Sequence, residues 1–166
     1  VMIAITVLLK YTIGKYPLAV RLIPIKIIGV ILIILELMKQ IYSLITGYDL
    51  FDLPFQFCSF FLVVIPITGF YNGKYTDEFN SITCTCCLCL LLFTSVCPTL
   101  IYNVYSIREY FKDFRAFHTV TFHEFAIFSF FIIVGLRIHV PTNKLQLKPI
   151  IYFIISFVIF AAAMSN

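Results

Sequence analysis

Two kinds of side chain that can carry out nucleophilic chemistry lie inside apolar stretches of this sequence. Cys58 follows an apolar run that is interrupted by Pro54 and Gln56, and two histidines, His118 and His123, occur in a later apolar stretch. A thiol is mostly protonated at neutral pH because its free pKa is about 8.5. An imidazole within hydrogen-bonding distance can remove that proton and later return it to a leaving group. The residue types therefore favour Cys58 as a nucleophile with one histidine as its base.

Acidic and polar residues near these side chains are candidates for supporting roles. In a catalytic triad a third group orients the imidazole, and Glu124 or Glu36 is suited to that position. Lys39 and Gln56 complete the set of supporting or substrate-binding candidates. Polar and ionisable side chains are costly inside a membrane, so each of them is a functional hypothesis.

Each candidate also has a purely structural interpretation. A cysteine in an apolar run commonly serves as a small buried hydrophobe, and this alternative stays open for Cys58. A histidine is costlier in lipid, so a purely structural role is less expected for His123. His118 and His123 are five residues apart, which places them on neighbouring rather than identical helix faces. We expect only one of them to touch the thiol.

Four further cysteines lie close together at Cys84, Cys86, Cys87 and Cys89. They contain two pairs with the C-x-x-C spacing of metal sites. On one helix these two pairs point in different directions, so a single helix cannot offer all four thiols to one ion. Small side chains let helices approach closely in a membrane. We therefore expect a packing role, and we expect neither a metal site nor a cofactor.

The composition excludes an ordinary soluble domain. Of the 166 residues, 61% are hydrophobic and 12% are charged, and the mean hydropathy is +1.02, whereas soluble domains contain about 25% charged residues. The long runs are apolar on every face, which favours helices over a barrel of alternating strands. We predict an all-α, polytopic transmembrane helical bundle with membrane lipids as its partners. The net charge of +4 comes without a basic block, so no nucleic-acid partner is expected.

The apolar runs predict about five to six spans in a single transmembrane helical domain that covers residues 1–166. Because about 20 apolar residues cross a bilayer, spans are predicted at about 18–38, 54–70, 79–105, 117–136 and 150–164, with 1–9 as the tail of a truncated span or a frayed end. Pro54 suits a first helical turn, and Pro66 and Pro98 predict kinks. The chain begins with Val1 rather than methionine, so truncation at both ends is an open expectation.

Counting spans brings the polar candidates together. The predicted second and fourth spans enter the membrane from the same side, and the first span ends on that side. One slab of the membrane is therefore expected to hold Glu36, Lys39, Asp52, Gln56, Cys58, Ser59, His118, Thr119, Thr121, His123 and Glu124. A cluster of polar groups near one leaflet is what a substrate pocket requires.

Two short motifs in the chain resemble those of a known family. Residues 36–39 and 53–59, ELMK and LPFQFCS, are similar to the E-x-x-K and LPLQLCS pattern of YwaF-like bacterial integral membrane proteins. Residues 117–124, FHTVTFHE, resemble the HSFIFHS motif of the same family. Phe55 and Phe57 replace the usual leucine pair, and the chain is shorter than the family.

The YwaF-like family is distantly similar to transmembrane protein 164 of eukaryotes, a cysteine-dependent acyltransferase that acts on glycerophospholipids. The resemblance implies a nucleophile at Cys58 and a base at His123, with His118 as the alternative. It also implies location in the bacterial cell membrane. The leading hypothesis is a thiol-dependent lipid acyltransferase or hydrolase. The alternative is a non-catalytic membrane protein, either a small-solute carrier or a scaffold whose polar cluster ties helices together.

Overall fold

Every regular element in the described part of the chain is helical, as predicted. The computed structural model describes residues 1–48, 57–96, 107–140, 151 and 155. Four predicted features lie outside these residues: the start of the second span at 54–56, which includes Gln56, the end of the third span with Pro98, Asp52, and nearly all of the fifth span.

Seven α-helices and one short 3-10 turn make up the described structure. In chain order the helices are α1 (Met2–Ile13), α2 (Leu18–Arg21), α3 (Ile23–Thr46), α4 (Phe61–Phe70), α5 (Thr76–Val96), α6 (Ile107–Lys112) and α7 (Phe114–Gly135). The 3-10 turn, Phe57–Phe60, leads directly into α4. The first predicted span is therefore broken near Leu22 and continues beyond its expected end at Met38 to Thr46.

Local sequence explains where several helices begin. Pro24 lies in the first turn of α3, where its missing N–H removes no helical hydrogen bond. Asp77 and Glu78 lie in the first turn of α5, where acidic side chains interact favourably with the helix dipole. The Asp113 side chain caps α7 by accepting a hydrogen bond of 2.9 Å from the Arg115 backbone N–H. Residues 2–13 are helical, so of the two expectations for residues 1–9 the frayed end was wrong, and the tail of a span stays a prediction.

Three helical segments are long and apolar enough to cross a membrane among the residues that the structure describes. They are Leu18–Thr46, Thr76–Ser95 and Phe114–Gly135, with mean hydropathies of 2.6, 1.4 and 1.6. Met2–Ile13 and Cys58–Phe70 are apolar but shorter than the roughly 20 residues that a span requires. The described helices are thus compatible with an integral membrane protein. The predicted number of five to six spans is not confirmed.

The core forms where α3, α4, α5 and α7 pack together. Its largest fully buried side chains include Ile25, Leu32, Phe61, Ile65, Ile132 and Ile133. Cys84, Cys86 and Cys87 are buried in the same cluster, as their packing interpretation predicted. The outward face of α3 instead exposes large apolar side chains, among them Ile27, Ile34 and Ile41, which suits contact with lipid.

Close backbone contact fixes α3 against α4. A Cβ atom at Gly29 would lie 3.1 Å from the Cα of Pro66, and one at Gly69 would lie 3.1 Å from the Cα of Lys26. Residues near the start of one helix thus face residues near the end of the other, so the two helices are antiparallel. This arrangement carries the 3-10 turn before α4 to the carboxyl-terminal half of α3.

Replacing Gly29 with valine should destabilise this packing by about 1–3 kcal/mol, the usual cost of overpacking a core. The added Cβ meets Pro66 inside its normal contact distance, and valine branches at that atom. Thermal unfolding of the purified protein in detergent measures the effect. Val30→Ile is the matched control because Val30 is exposed, and it should leave the melting temperature unchanged. Equal melting temperatures for the two variants would contradict the close contact.

At the end of the bundle that lies away from the 3-10 turn, Arg21 links two helices. Its guanidinium donates to the Leu136 carbonyl at 2.8 Å and to the Arg137 carbonyl at 2.9 Å. Arg137 has a φ of 52°, the left-handed conformation that commonly ends a helix. The contact joins α2 to the carboxyl end of α7.

Acidification should destabilise the protein through His139, which follows α7. Burial lowers the pKa of the His139 imidazole below its ordinary value, and the Asp77 carboxylate opposes this shift only in part. The unfolded chain therefore takes up the proton more readily, so the stability contribution is present at neutral pH and is lost as the pH falls below about 6.5. Lowering the pH from about 7.5 to 5 should reduce the melting temperature more in wild type than in His139→Gln. An identical decrease in both proteins would refute the assignment to His139.

Candidate functional site

The Cys58 thiol and the His123 imidazole are in hydrogen-bonding contact. Cys58 lies in the 3-10 turn before α4 and His123 lies in the first half of α7. The distance from Sγ to Nε2 is 2.8 Å. Cys58 is partly buried and His123 is buried, so the contact is largely shielded from solvent. The prediction that a histidine reaches the thiol is confirmed, and that histidine is His123.

The contact made by the second ring nitrogen of His123 determines whether the thiol or the imidazole donates the hydrogen bond between them. Nδ1 lies 2.6 Å from the backbone carbonyl oxygen of Thr119, one helical turn earlier. A carbonyl can only accept, so Nδ1 carries the hydrogen of the neutral ring and Nε2 has a free lone pair. The thiol of Cys58 therefore donates to Nε2. This is the geometry in which an imidazole removes a proton from a nucleophile.

A carboxylate does not occupy the orienting position that the sequence suggested for Glu124 or Glu36. The Thr119 carbonyl occupies it instead. In an α-helix this carbonyl would normally accept from the residue 123 backbone N–H, and it is within reach of that residue's side chain as well. The four-residue spacing of Thr119 and His123 on one helix was the sequence signal that could have predicted this contact.

Glu36 instead contacts the other histidine. Its Oε2 lies 3.2 Å from Nε2 of His118, while its Oε1 accepts from Lys39 at 2.8 Å and from the Gln40 amide at 2.7 Å. The side chains of Glu36 and His118 are each 8% exposed. A buried carboxylate is stable only when donors surround it, and Lys39 and Gln40 supply two of them. The Nε2 of His118 lies at ion-pair distance but makes no hydrogen bond with the residues that the structure describes. His118 therefore does not serve as the partner of the thiol in this arrangement.

The carboxyl end of α3 is tied to the amino end of α7. The Tyr48 hydroxyl donates to Oε1 of Gln40 at 2.7 Å. Arg115 donates to the Gly47 carbonyl at 2.7 Å, and its guanidinium lies over the Tyr42 ring at 5.8 Å. These contacts fix the carboxyl end of α3, which precedes Cys58 in the chain. The sequence interpretation did not include Gln40, Tyr48 or Arg115, although Gln40 is one helical turn from Glu36.

The remaining supporting candidates lie around the pair. Lys39 is close enough to Cys58, and Glu124 close enough to His123, for their charges to interact. Ser59 follows the thiol in the 3-10 turn. Gln56 lies outside the described residues, so its predicted role stays a prediction. Hydrogen-bonding or ion-pair contacts join Cys58 to His123 and Glu36 to Lys39 and His118. The wider grouping of polar residues that span counting predicted stays a prediction.

Two adjoining clefts run along α7 beside this cluster. One, of about 300 Å³, lies between α1, α6 and α7, and its lining includes Tyr110, Thr121 and Glu124. The other, of about 360 Å³, lies between α1, α3 and α7 and is lined by apolar side chains. Phe125 and Phe128 line both clefts. Together they form an apolar groove with a polar end near His123, although the thiol lines neither cleft.

Within the residues that the structure describes, no group of three or more His, Cys, Asp or Glu side chains is placed to hold a metal ion. The site thus consists of a thiol–imidazole pair and a neighbouring imidazole–carboxylate pair. Both imidazoles lie on α7, whereas the thiol precedes α4 and the carboxylate lies on α3. Comparisons of the chain with protein-family models, curated proteins and solved structures returned no match. What the site can do therefore follows from its geometry and chemistry.

Proposed function

We propose that the chain is a membrane-embedded, thiol-dependent lipid acyltransferase or lipid hydrolase. The observation that carries this proposal is the 2.8 Å contact between Cys58 Sγ and His123 Nε2, with Nδ1 of the same ring held by the Thr119 carbonyl. A nucleophile and base at this distance, with the base oriented by a third group, form the arrangement common to covalent acyl-transfer enzymes.

In the first half of the reaction, the Cys58 thiol gives its proton to Nε2 of His123. Sγ then attacks the carbonyl carbon of a lipid ester, and the C–O bond to the lipid alcohol breaks. The leaving alkoxide takes the proton from Nε2, which leaves a thioester on Cys58 and a free lysolipid. Burial disfavours the negative charge on sulfur, and the nearby Lys39 ammonium opposes this effect in part, as does the amino end of α4, which follows the 3-10 turn.

A second hydroxyl compound then accepts the acyl group. Water as the acceptor makes the reaction a hydrolysis, and a lipid hydroxyl makes it an acyl transfer. The thioester bond breaks, the oxygen of the acceptor bonds to the acyl carbon, and the thiol of Cys58 is restored. Hydrolysis and acyl transfer proceed from the same thioester, so a single enzyme can carry out both reactions.

A membrane lipid is the proposed substrate because of where the pair lies. The three candidate spans supply a lipid-facing exterior, and the apolar groove along α7 has its polar end near His123. A lipid tail is stable in such a groove because its surroundings are as apolar as the bilayer. The ester carbonyl, at the polar end of the tail, would then lie beside Glu124, the residue that follows His123 in the chain.

We further propose that the protein is a YwaF-like member in the bacterial cell membrane. The proposal rests on the similarity of residues 36–39, 53–59 and 117–124 to that family's motifs. Glu36, Lys39, Cys58, His118 and His123 come from these separate motifs and contact or closely approach one another. Motifs that are separated in sequence but contribute residues to one site are expected of a family with a common function.

A scaffold or carrier is the second candidate, because several polar contacts join neighbouring helices. Glu36 and His118 join α3 to α7, and the hydroxyls of Thr68 and Thr83 join α4 to α5 at 2.7 Å. Interhelical polar contacts in membranes contribute only about 0.6 kcal/mol each on average. Such contacts explain the Glu36 network, but they do not require a thiol paired with an imidazole.

Trapping the intermediate tests the catalytic proposal. The purified chain is incubated in phospholipid nanodiscs that contain a donor labelled in its acyl chain, then quenched in acid and digested. We expect the label on the peptide that contains Cys58, and we expect hydroxylamine at neutral pH to release it, since thioesters are cleaved under these conditions. Cys58→Ser is the control and should carry no hydroxylamine-labile label. Wild-type protein without label would overturn the enzyme proposal and favour the scaffold or carrier.

A further inference from the structure

The two histidines of α7 are supported by different groups, and the difference is chemical. His123, which contacts the thiol, is held at Nδ1 by a neutral backbone carbonyl. His118 faces the Glu36 carboxylate through its Nε2 at 3.2 Å. The imidazole backed by a carboxylate is therefore the one that does not touch the nucleophile. In a simple catalytic triad, by contrast, the carboxylate supports the imidazole that does contact the nucleophile.

A carboxylate beside one nitrogen strengthens the other nitrogen as a base. Glu36 favours a proton on Nε2 of His118 and stabilises the imidazolium that forms when Nδ1 gains a second proton. No hydrogen bond to Nδ1 comes from the residues that the structure describes. The same relation, with the nitrogens exchanged, activates the base in serine hydrolases.

The two half-reactions require bases of different strength. A thiol, with a free pKa of about 8.5, is easily deprotonated, and a neutral imidazole on a carbonyl is sufficient. Bulk water has a pKa of about 15.7, and an alcohol is similarly weak as an acid. A hydroxyl acceptor thus needs the carboxylate-backed imidazole more than the thiol does.

We propose that His118 is a second catalytic base, which takes the proton of the acceptor hydroxyl when that hydroxyl attacks the acyl group on Cys58, and that Glu36 is its positioning residue. The role rests on the proposed function and adds a separate base for the second half-reaction. The hydroxyl proton moves to Nδ1 of His118, the new C–O bond forms, and the C–S bond breaks. The departing Cys58 thiolate then takes this proton from His118 as the site resets, because His123 has already given its own to the leaving alkoxide.

Both imidazoles pack against the Phe122 ring. His118 lies 5.4 Å from the Phe122 ring, which in turn lies 6.3 Å from His123, measured between centroids. The charge of His118 is close enough to act on His123. Lys39 and Gln40 bind the opposite oxygen of Glu36, so the carboxylate keeps Oε2 towards His118.

Rapid-quench kinetics in nanodiscs with a labelled phospholipid donor tests the inference on the full chain. The burst of lysolipid reports acylation of Cys58, and the steady state reports transfer to water or to an added lysophospholipid. In His118→Gln we expect the burst to persist while the steady-state rate falls about 100-fold or more, the usual contribution of general base catalysis. The thioester should accumulate. Glu36→Gln should show the same division with a loss of about tenfold.

Hydroxylamine distinguishes a catalytic from a structural role, because this strong nucleophile attacks a thioester without a general base. It should release the acyl group equally fast from wild type and from His118→Gln. If the burst and the steady state fall together, or if neither changes, the second base is refuted. Should His118→Gln not fold, Glu36→Gln carries the same comparison. Absence of any burst in wild type instead refutes the proposed function, so the two failures are distinguishable.

Discussion

Cys58→Ala should abolish acyl turnover, with a loss of at least about 1,000-fold, because single removals of a covalent nucleophile in hydrolases reach losses of this order or greater. The variant keeps the fold, since alanine occupies less space than the partly buried thiol and removes one hydrogen bond to His123. Release of labelled fatty acid or formation of the transfer product, measured in phospholipid nanodiscs, provides the rate.

Cys89→Ala is the matched control for this experiment. Cys89 is a free, exposed cysteine on α5, whereas Cys58 lies in the 3-10 turn before α4. We expect its rate to equal that of wild type. Residual turnover in Cys58→Ala above about one tenth of the wild-type rate would show that another group attacks the ester. A small decrease in the melting temperature of Cys58→Ala would not explain the expected loss of turnover, because the folded protein would still predominate at the assay temperature.

His123→Gln should lower turnover by about 100-fold to 10,000-fold, the range for removing a general acid–base group. Glutamine can occupy the volume and can still accept from the thiol, but it cannot take the proton. The rate of Cys58 alkylation by iodoacetamide near pH 7 should fall as well, because the thiolate fraction is no longer raised by the imidazole. Mass spectrometry of the Cys58 peptide measures this rate separately from that of the other cysteines.

His139→Gln provides the comparison, since His139 follows α7 at the other end of the bundle. At pH 7.5 this variant should keep both the turnover and the alkylation rate of wild type. If alkylation of Cys58 is unchanged in His123→Gln, the 2.8 Å contact does not activate the thiol. Loss of turnover with unchanged alkylation would limit His123 to protonation of the leaving group.

Much of the fold followed from local sequence. Apolar runs predicted helices at the positions of α3, α4, α5 and α7, because a chain with 12% charged residues can satisfy its backbone polar groups in lipid only within helices. Span counting also placed Glu36, Cys58 and His123 at one end of the bundle. Local pattern was less informative about helix ends. The extension of α3 to Thr46 includes Lys39 and Gln40, whose polar groups are paired with nearby Glu36 and Tyr48.

The sequence by itself predicted the helical class with apolar spans, the antiparallel order that brings Cys58 to the carboxyl half of α3, and the choice of Cys58 as the nucleophile candidate. Only the tertiary structure decided which histidine contacts it. Residues five apart differ by about 140° around a helix, so the rotation of α7 against α3 and α4 selects His123 for the thiol and His118 for Glu36. That rotation is visible only in long-range contacts of α7, such as those of His118 with Glu36 and of His123 with Cys58, and no local pattern encodes it.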